Sequence, residues 1–393
     1  MPIPRTRGYT GPALFSYGFR PFFLAGAIYA AASIAVWLPA WFGNIILPTH
    51  FAPVEWHVHE LLFGFLPAIV TGFLFTAVPN WTGRMPLQGA GLIVLVALWI
   101  AGRLAVLMSQ WIGWQAAMMA DCAFLLAVAL VIAREIVSGG NWRNLKVLIP
   151  LGILTGANAL FHWQVVFADD TLLARRLAFA AATLLIVIIG GRIVPSFTRN
   201  WMVRENPGRL PTSFGPFDKL AIGVTSLALA GWIVLPEKTV TALSLVASGV
   251  MQLLRLARWA GYRTLRDPLV WILHAAYALL SVGMMALGMA ILAPEAIPPA
   301  VPYHLLGVGA FGTMTLAVMV RAARGHTGQE LRAGAGGKLA FAAILLATVA
   351  RLSAEYAPAA YVGLLYLAAT FWIVAYAAFA VTLGPALSRP RGS

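Results

Sequence analysis

Twelve apolar runs leave this chain few ways to fold, each near the ~20 residues that a helix needs to cross the hydrocarbon core of a bilayer. They are read over 21–41, 57–79, 90–109, 114–134, 147–167, 174–194, 218–235, 239–259, 269–292, 301–320, 338–354 and 359–385. The connections are short, the longest being 195–217, rich in Pro, Arg and Asn. With 61% hydrophobic and 10% charged residues, the balance is not that of a water-soluble domain. Backbone polar groups in lipid must be satisfied within helices. The expected fold is therefore an all-α integral membrane protein, a single bundle of about 12 transmembrane helices forming one polytopic membrane domain over 1–393. The first run follows Arg5, Arg7 and Arg20 at full length, without a small-residue cleavage site, and reads as a retained helix rather than a signal peptide.

The net charge of +14 would suit a nucleic-acid partner, but its distribution argues otherwise. With a cytoplasmic amino terminus, the inner side takes all of the 27 Lys and Arg except Arg175, Arg176, Lys238 and Arg351 outside and Arg103 within a span. That asymmetry follows the positive-inside rule and puts both termini in the cytoplasm. The charge then reports topology and a lipid bilayer, with no nucleic acid expected. A single cysteine, Cys122, excludes an intrachain disulfide, a thiolate metal cluster and a C-x-x-C-H haem attachment.

Ionisable side chains inside such runs are costly and read as functional. Trp56-His57-Val58-His59-Glu60 opens the second run at its outer end, and His304 lies just inside the outer end of the tenth. At 1.5 Å per residue, His162 sits roughly 8 Å deep, with Arg103 and Asp121 each roughly 10 Å deep. One depth thus collects costly side chains from five helices. His57 and His59 point about 160° apart on a regular helix, so they would not easily share one metal. A metal-bound histidine needs a partner for its second ring nitrogen, and Glu55, Glu60 and Asn158 are candidates. Below His57 come Gly64, Ala68 and Thr71, and below His304 come Gly307, Val308 and Phe311, with Gly309 and Gly312 nearby. Such stripes leave room for a flat macrocycle, although small residues also serve helix packing. Arg103 suits either a haem propionate or a pair with Asp121. Met118, Met119 and Cys122 are soft enough for copper but more often simply pack. His274 reads as an axial ligand or a hydrogen-bonded structural residue, His326 as part of a loop cap, and His50 as solvated. No internal repeat is evident.

Further segments carry a resemblance over nearly the whole chain. They are Phe15-Ser16-Tyr17-Gly18-Phe19-Arg20-Pro21-Phe22-Phe23, Thr76-Ala77-Val78-Pro79-Asn80-Trp81-Thr82-Gly83-Arg84 and Gly190-Gly191-Arg192-Ile193-Val194-Pro195-Ser196-Phe197-Thr198-Arg199. Gly312-Thr313-Met314-Thr315-Leu316-Ala317-Val318-Met319 continues into Arg321 and Gly325-His326-Thr327-Gly328. Together with the His-x-His-Glu cluster, these resemble the NnrS family of bacterial membrane proteins. The resemblance implies haem, of b type, and copper, a link to nitric-oxide metabolism, and the bacterial cytoplasmic (inner) membrane. The histidine spacing of the haem–copper oxidases is absent.

The expected function is reduction of nitric oxide to nitrous oxide at a site near the periplasmic face, with quinol or a periplasmic cytochrome as electron donor. Glu60 and Asp121, with Glu55, would relay protons. His57, His304, His274 and Arg103 are the candidates for holding haem, and His57, His59, His162 and His304 are the candidate metal ligands. Two alternatives stand beside an enzyme: a non-catalytic nitric-oxide sensor or buffer, and a transporter of copper, haem or a metal–nitrosyl species.

Overall fold

The computed structural model describes residues 9–390. Arg5, Arg7 and Arg391, counted on the basic side, lie outside the described residues. Among the described residues the chain is helical and has no strand. Twelve helices among the described residues are long and apolar enough to cross a membrane. They are α1 (Phe19–Trp41), α2 (Pro53–Thr82), α3 (Ala90–Leu107), α4 (Trp114–Ser138), α5 (Trp142–Phe167) and α6 (Leu172–Glu205). The rest are α7 (Pro216–Val234), α8 (Thr239–Ala257), α9 (Pro268–Leu292), α10 (Ala300–Thr327), α11 (Gly334–Tyr356) and α12 (Pro358–Ser388). The protein is an all-α, multi-pass membrane protein.

Local chemistry explains where the helices depart from the apolar runs. α2 begins at Pro53, where a proline's missing N–H costs nothing, and stops at Gly83, whose φ of +71° makes a left-handed cap. α6 does not end at 194, and the expected loop from 195 is helical as far as Glu205. Pro195 lies inside it, as helices within a membrane bundle tolerate. His326 likewise belongs to the last turn of α10 rather than a loop.

The three most buried spans, α2, α6 and α10, each contain a π-helical stretch: Glu60–Phe65, Ile186–Gly190 and Leu305–Gly312. Such stretches loosen the hydrogen-bond ladder and are frequent at functional sites. Two of them start immediately after a histidine, His59 and His304.

The chain forms two compact units. The first contains α1–α5, the start of α6, Ala322–Glu330 and residues 376–390. Arg20, only 5% exposed, fixes the end of α12 there by donating to the carbonyls of Ala386, Leu387 and Arg389 at 3.3, 2.9 and 2.7 Å. These are carbonyls that a helix end leaves without partners. Arg20→Ala is expected to cost about 1.5–3 kcal/mol, the range for a hydrogen bond to a charged group. A lowered thermal midpoint of the detergent-purified protein would show it, and an unchanged midpoint would remove the cap from the account.

The second unit, Ala182–Arg321 with Leu331–Ala375, is organised around the fully buried Arg255 of α8. Arg255 pairs with Asp218 of α7 at 2.8 Å and donates to the Val187 carbonyl, in the π stretch of α6, at 2.9 Å and to Tyr277 of α9 at 3.0 Å. Gly191 lets the guanidinium close on α6, since a Cβ there would lie 2.5 Å from Nη2.

Candidate functional site

Five helices of the first unit bring their polar residues to one buried cluster. His59 and Glu60 come from α2, Tyr29 from α1, Arg103 from α3, Asp121 from α4, and Asn158 and His162 from α5. His59, Glu60 and Asn158 are fully buried, and Asp121 and His162 almost so. Arg103 holds the two carboxylates, donating to Glu60 Oε2 at 2.7 Å and, through Nη2, to Asp121 Oδ1. The Tyr29 hydroxyl donates to the same Glu60 oxygen. Glycines permit this closeness. A Cβ on Gly64 would sit 2.7 Å from Arg103 Nη1, and one on Gly102 would sit 3.0 Å from the Asp121 backbone. Gly64 also lies in the π stretch of α2, where its carbonyl accepts from Trp99 Nε1 at 2.9 Å.

The donor atoms converge. His59 Nδ1 lies 2.9 Å from Glu60 Oε1, and a neutral ring with its proton there turns the Nε2 lone pair inward, whereas a proton on Nε2 is donated to Asn158 Oδ1. Asp121 Oδ2 lies 3.2 Å from both His59 Nε2 and His162 Nε2, and Asn158 Oδ1 is 2.9 Å from His59 Nε2. One ligand atom each from His59, Asp121 and His162 lies within 4.8 Å of the others. Lone pairs meeting at that spacing repel unless a proton or a metal cation sits among them. Formal charge points the same way, because one guanidinium faces two carboxylates. Glu60 behind His59 makes the carboxylate–histidine arrangement that fixes a ligand's tautomer and orientation. Two imidazoles and a carboxylate suit copper, zinc or iron. Phe51, Phe63 and Phe161 line the histidines with ring centres about 5 Å away.

The other expected site residues lie elsewhere. α2 is regular over Pro53–His59, so His57 faces away from His59 and stacks on Trp37 with ring centres 4.2 Å apart. Glu55 pairs with Arg175 at 2.9 Å, and Met119 is 63% exposed. In the second unit His304 Nδ1–H donates to the Ala300 carbonyl at 2.7 Å, which puts the lone pair of the neutral ring on Nε2. The glycines beneath it serve helix contacts: a Cβ on Gly309 would meet Thr348 at 3.3 Å, and one on Gly312 would meet Trp372 at 2.9 Å. His274 Nε2 bonds Thr198 Oγ1 at 2.8 Å, and its Nδ1 faces Gly261, where a Cβ would sit 2.3 Å away. Of Arg103's two expected roles, the structure realises the pairing with Asp121 and adds Glu60. Tyr29 was not anticipated; the signal available was a hydroxyl in the middle of an apolar run.

The model of the NnrS protein family matches residues 13–391. The chain belongs to that family. No curated protein matches it. NnrS membership links the chain to nitric-oxide metabolism and to a family that binds metal and haem. The His59–Asp121–His162 group provides a site of matching donor chemistry in this NnrS protein.

Proposed function

We propose that the chain is a haem- and copper-containing oxidoreductase of the bacterial cytoplasmic membrane, with both termini inside, that reduces nitric oxide to nitrous oxide. The convergence of His59, Asp121 and His162 carries this reading. Two nitric oxide molecules, two electrons and two protons give one nitrous oxide and one water, with quinol or a periplasmic cytochrome as the electron source. Haem and copper, when bound, would hold nitric oxide and pass the electrons. His59 and His162 would hold copper with Asp121. For haem, His57 and His304 are the candidates, while Arg103 serves the carboxylates instead. His274 would need Gly261 to move before Nδ1 could bind an iron.

The chain's own residues account for the rest. Arg103 keeps Asp121 aimed at the histidines while binding Glu60 on its other side. Tyr29 and Glu60 form a hydrogen-bonded pair that ends on His59 Nδ1, a route for a proton into the cluster. Burial among phenylalanines keeps bulk water away from the reacting atoms, and nitric oxide reaches them through lipid.

Anaerobic nitrous-oxide production by the pre-reduced protein, given nitric oxide and a reductant, tests the proposal. Many turnovers per haem are expected, with Glu60→Gln slowed about 100-fold, within the usual range for a lost acid–base group. A change in the absorption spectrum on adding nitric oxide, without nitrous oxide, would replace the reductase with a sensor or buffer. No spectral change at all would favour the transporter.

A further inference from the structure

Arg321 of α10 is a buried cation without a counter-ion in contact. It is 8% exposed, and its guanidinium lies over the ring of Phe197 on α6, with Cζ 4.2 Å from the centroid. No hydrogen bond or ion pair joins it to another described residue. Two further charges act on it: Asp267, which precedes α9, offsets its charge, and Arg204 in the last turn of α6 adds to it. Asp267 is only a partial counter-ion. Its Oδ1 accepts from the Leu269 amide at 2.9 Å, and burial pushes its carboxyl above the usual carboxylate range, against the pull of that amide and of Arg321.

A guanidinium with one face on an aromatic ring keeps its N–H donors free along the edge, in the plane that matches paired oxygens of a carboxylate or phosphate. Without such a partner the buried charge is strongly unfavourable. Depth narrows the source. α10 continues for about 9 Å beyond Arg321 and α6 for about 12 Å beyond Phe197, at 1.5 Å per residue. Both helices are longer than a ~30 Å hydrocarbon core requires, so this pair lies within reach of the interfacial layer. Phe197 and Arg321 also belong to the sequence segments that carry the family resemblance, yet neither takes part in the His59 cluster.

We propose that Arg321, on its Phe197 platform, binds the oxyanion of a membrane-resident amphiphile. The group is a carboxylate or phosphate, and its two sources are an anionic phospholipid headgroup and the propionate of a haem other than one on His304, which lies about 25 Å away along α10. The full-length protein, purified in neutral detergent, is compared with Arg321→Gln and Phe197→Leu by native mass spectrometry, haem assay and phospholipid analysis. Thermal unfolding is then followed in phosphatidylcholine nanodiscs with and without phosphatidylglycerol. Arg321→Gln is expected to lose one bound ligand at least about tenfold, and Phe197→Leu, which keeps the charge, to lose it several-fold. If the source is lipid, phosphatidylglycerol raises the wild-type midpoint and not that of Arg321→Gln. If it is haem, the haem content falls and bound lipid does not. Unchanged ligand content in both variants, with Arg321→Gln melting at or above the wild-type temperature, overturns the site. The arginine would then be only an uncompensated charge whose removal helps the fold. Should Arg321→Gln fail to fold, an unchanged ligand content in Phe197→Leu overturns the proposal by itself.

Discussion

Alanine at His59 or at His162 is expected to abolish metal retention at the first-unit cluster. Each substitution removes one of the three His and Asp donor atoms that converge there, so affinity should fall further than the roughly 10–100-fold typical of losing an outer partner. The two variants should differ in stability. His59 also ties Glu60, Asn158 and Asp121 together, whereas His162 makes its polar contact through Asp121 alone and otherwise packs edge-on against the rings of His59 and Phe51. His59→Ala is therefore expected to lower the thermal midpoint more than His162→Ala, at equal loss of metal. His50→Ala, at an exposed position outside the spans, serves as the control and should change neither. Copper is loaded under reducing conditions, followed by a chelator wash and elemental analysis. Wild-type copper content in His59→Ala would move the metal centre away from this cluster.

Why these histidines could be found, and others not, follows from the physics of each position. Apolar length exposed the twelve spans, because lipid leaves a helix no other way to satisfy its backbone. The cost of ionisable groups in hydrocarbon singled out His59, Glu60, Arg103, Asp121 and His162, and the structure brings all five together. Helical periodicity also separated His57 from His59. Depth, however, is a one-dimensional coordinate. It could not say which face of α10 meets which neighbour, so His304 shared a list with residues of the other unit. Small residues beneath a histidine were ambiguous for the same reason. Gly64, Gly309 and Gly312 admit Arg103, Thr348 and Trp372 rather than leaving an open slot. The π stretches carry no periodic signature, so the geometry that frees the Gly64 carbonyl could not be read in advance. Tyr29 was hidden because one hydroxyl hardly changes the hydropathy of a span.

Removing the Arg103 guanidinium is expected to be the most damaging single change in the first unit. Arg103→Met preserves bulk on α3 but strands Glu60 and Asp121, both almost wholly inaccessible, without the cation that lies between them. Breaking one partner from a buried ion pair costs about 3–5 kcal/mol, and here two carboxylates lose the same partner. Adding Glu60→Gln to Arg103→Met should recover part of that loss, since it removes one of the stranded charges. A double-mutant cycle on the unfolding midpoints measures the coupling. Metal gives the sharper readout. If a cation binds His59, Asp121 and His162, it supplies positive charge beside the carboxylate that Arg103→Met has left exposed. Saturating metal should then stabilise Arg103→Met more than it stabilises the wild type, because binding to the folded state alone shifts the unfolding equilibrium. Equal stabilisation of the two would mean that Asp121 does not face the metal. In that event Arg103, Glu60 and Asp121 would form a structural triad beside a centre built by the histidines alone.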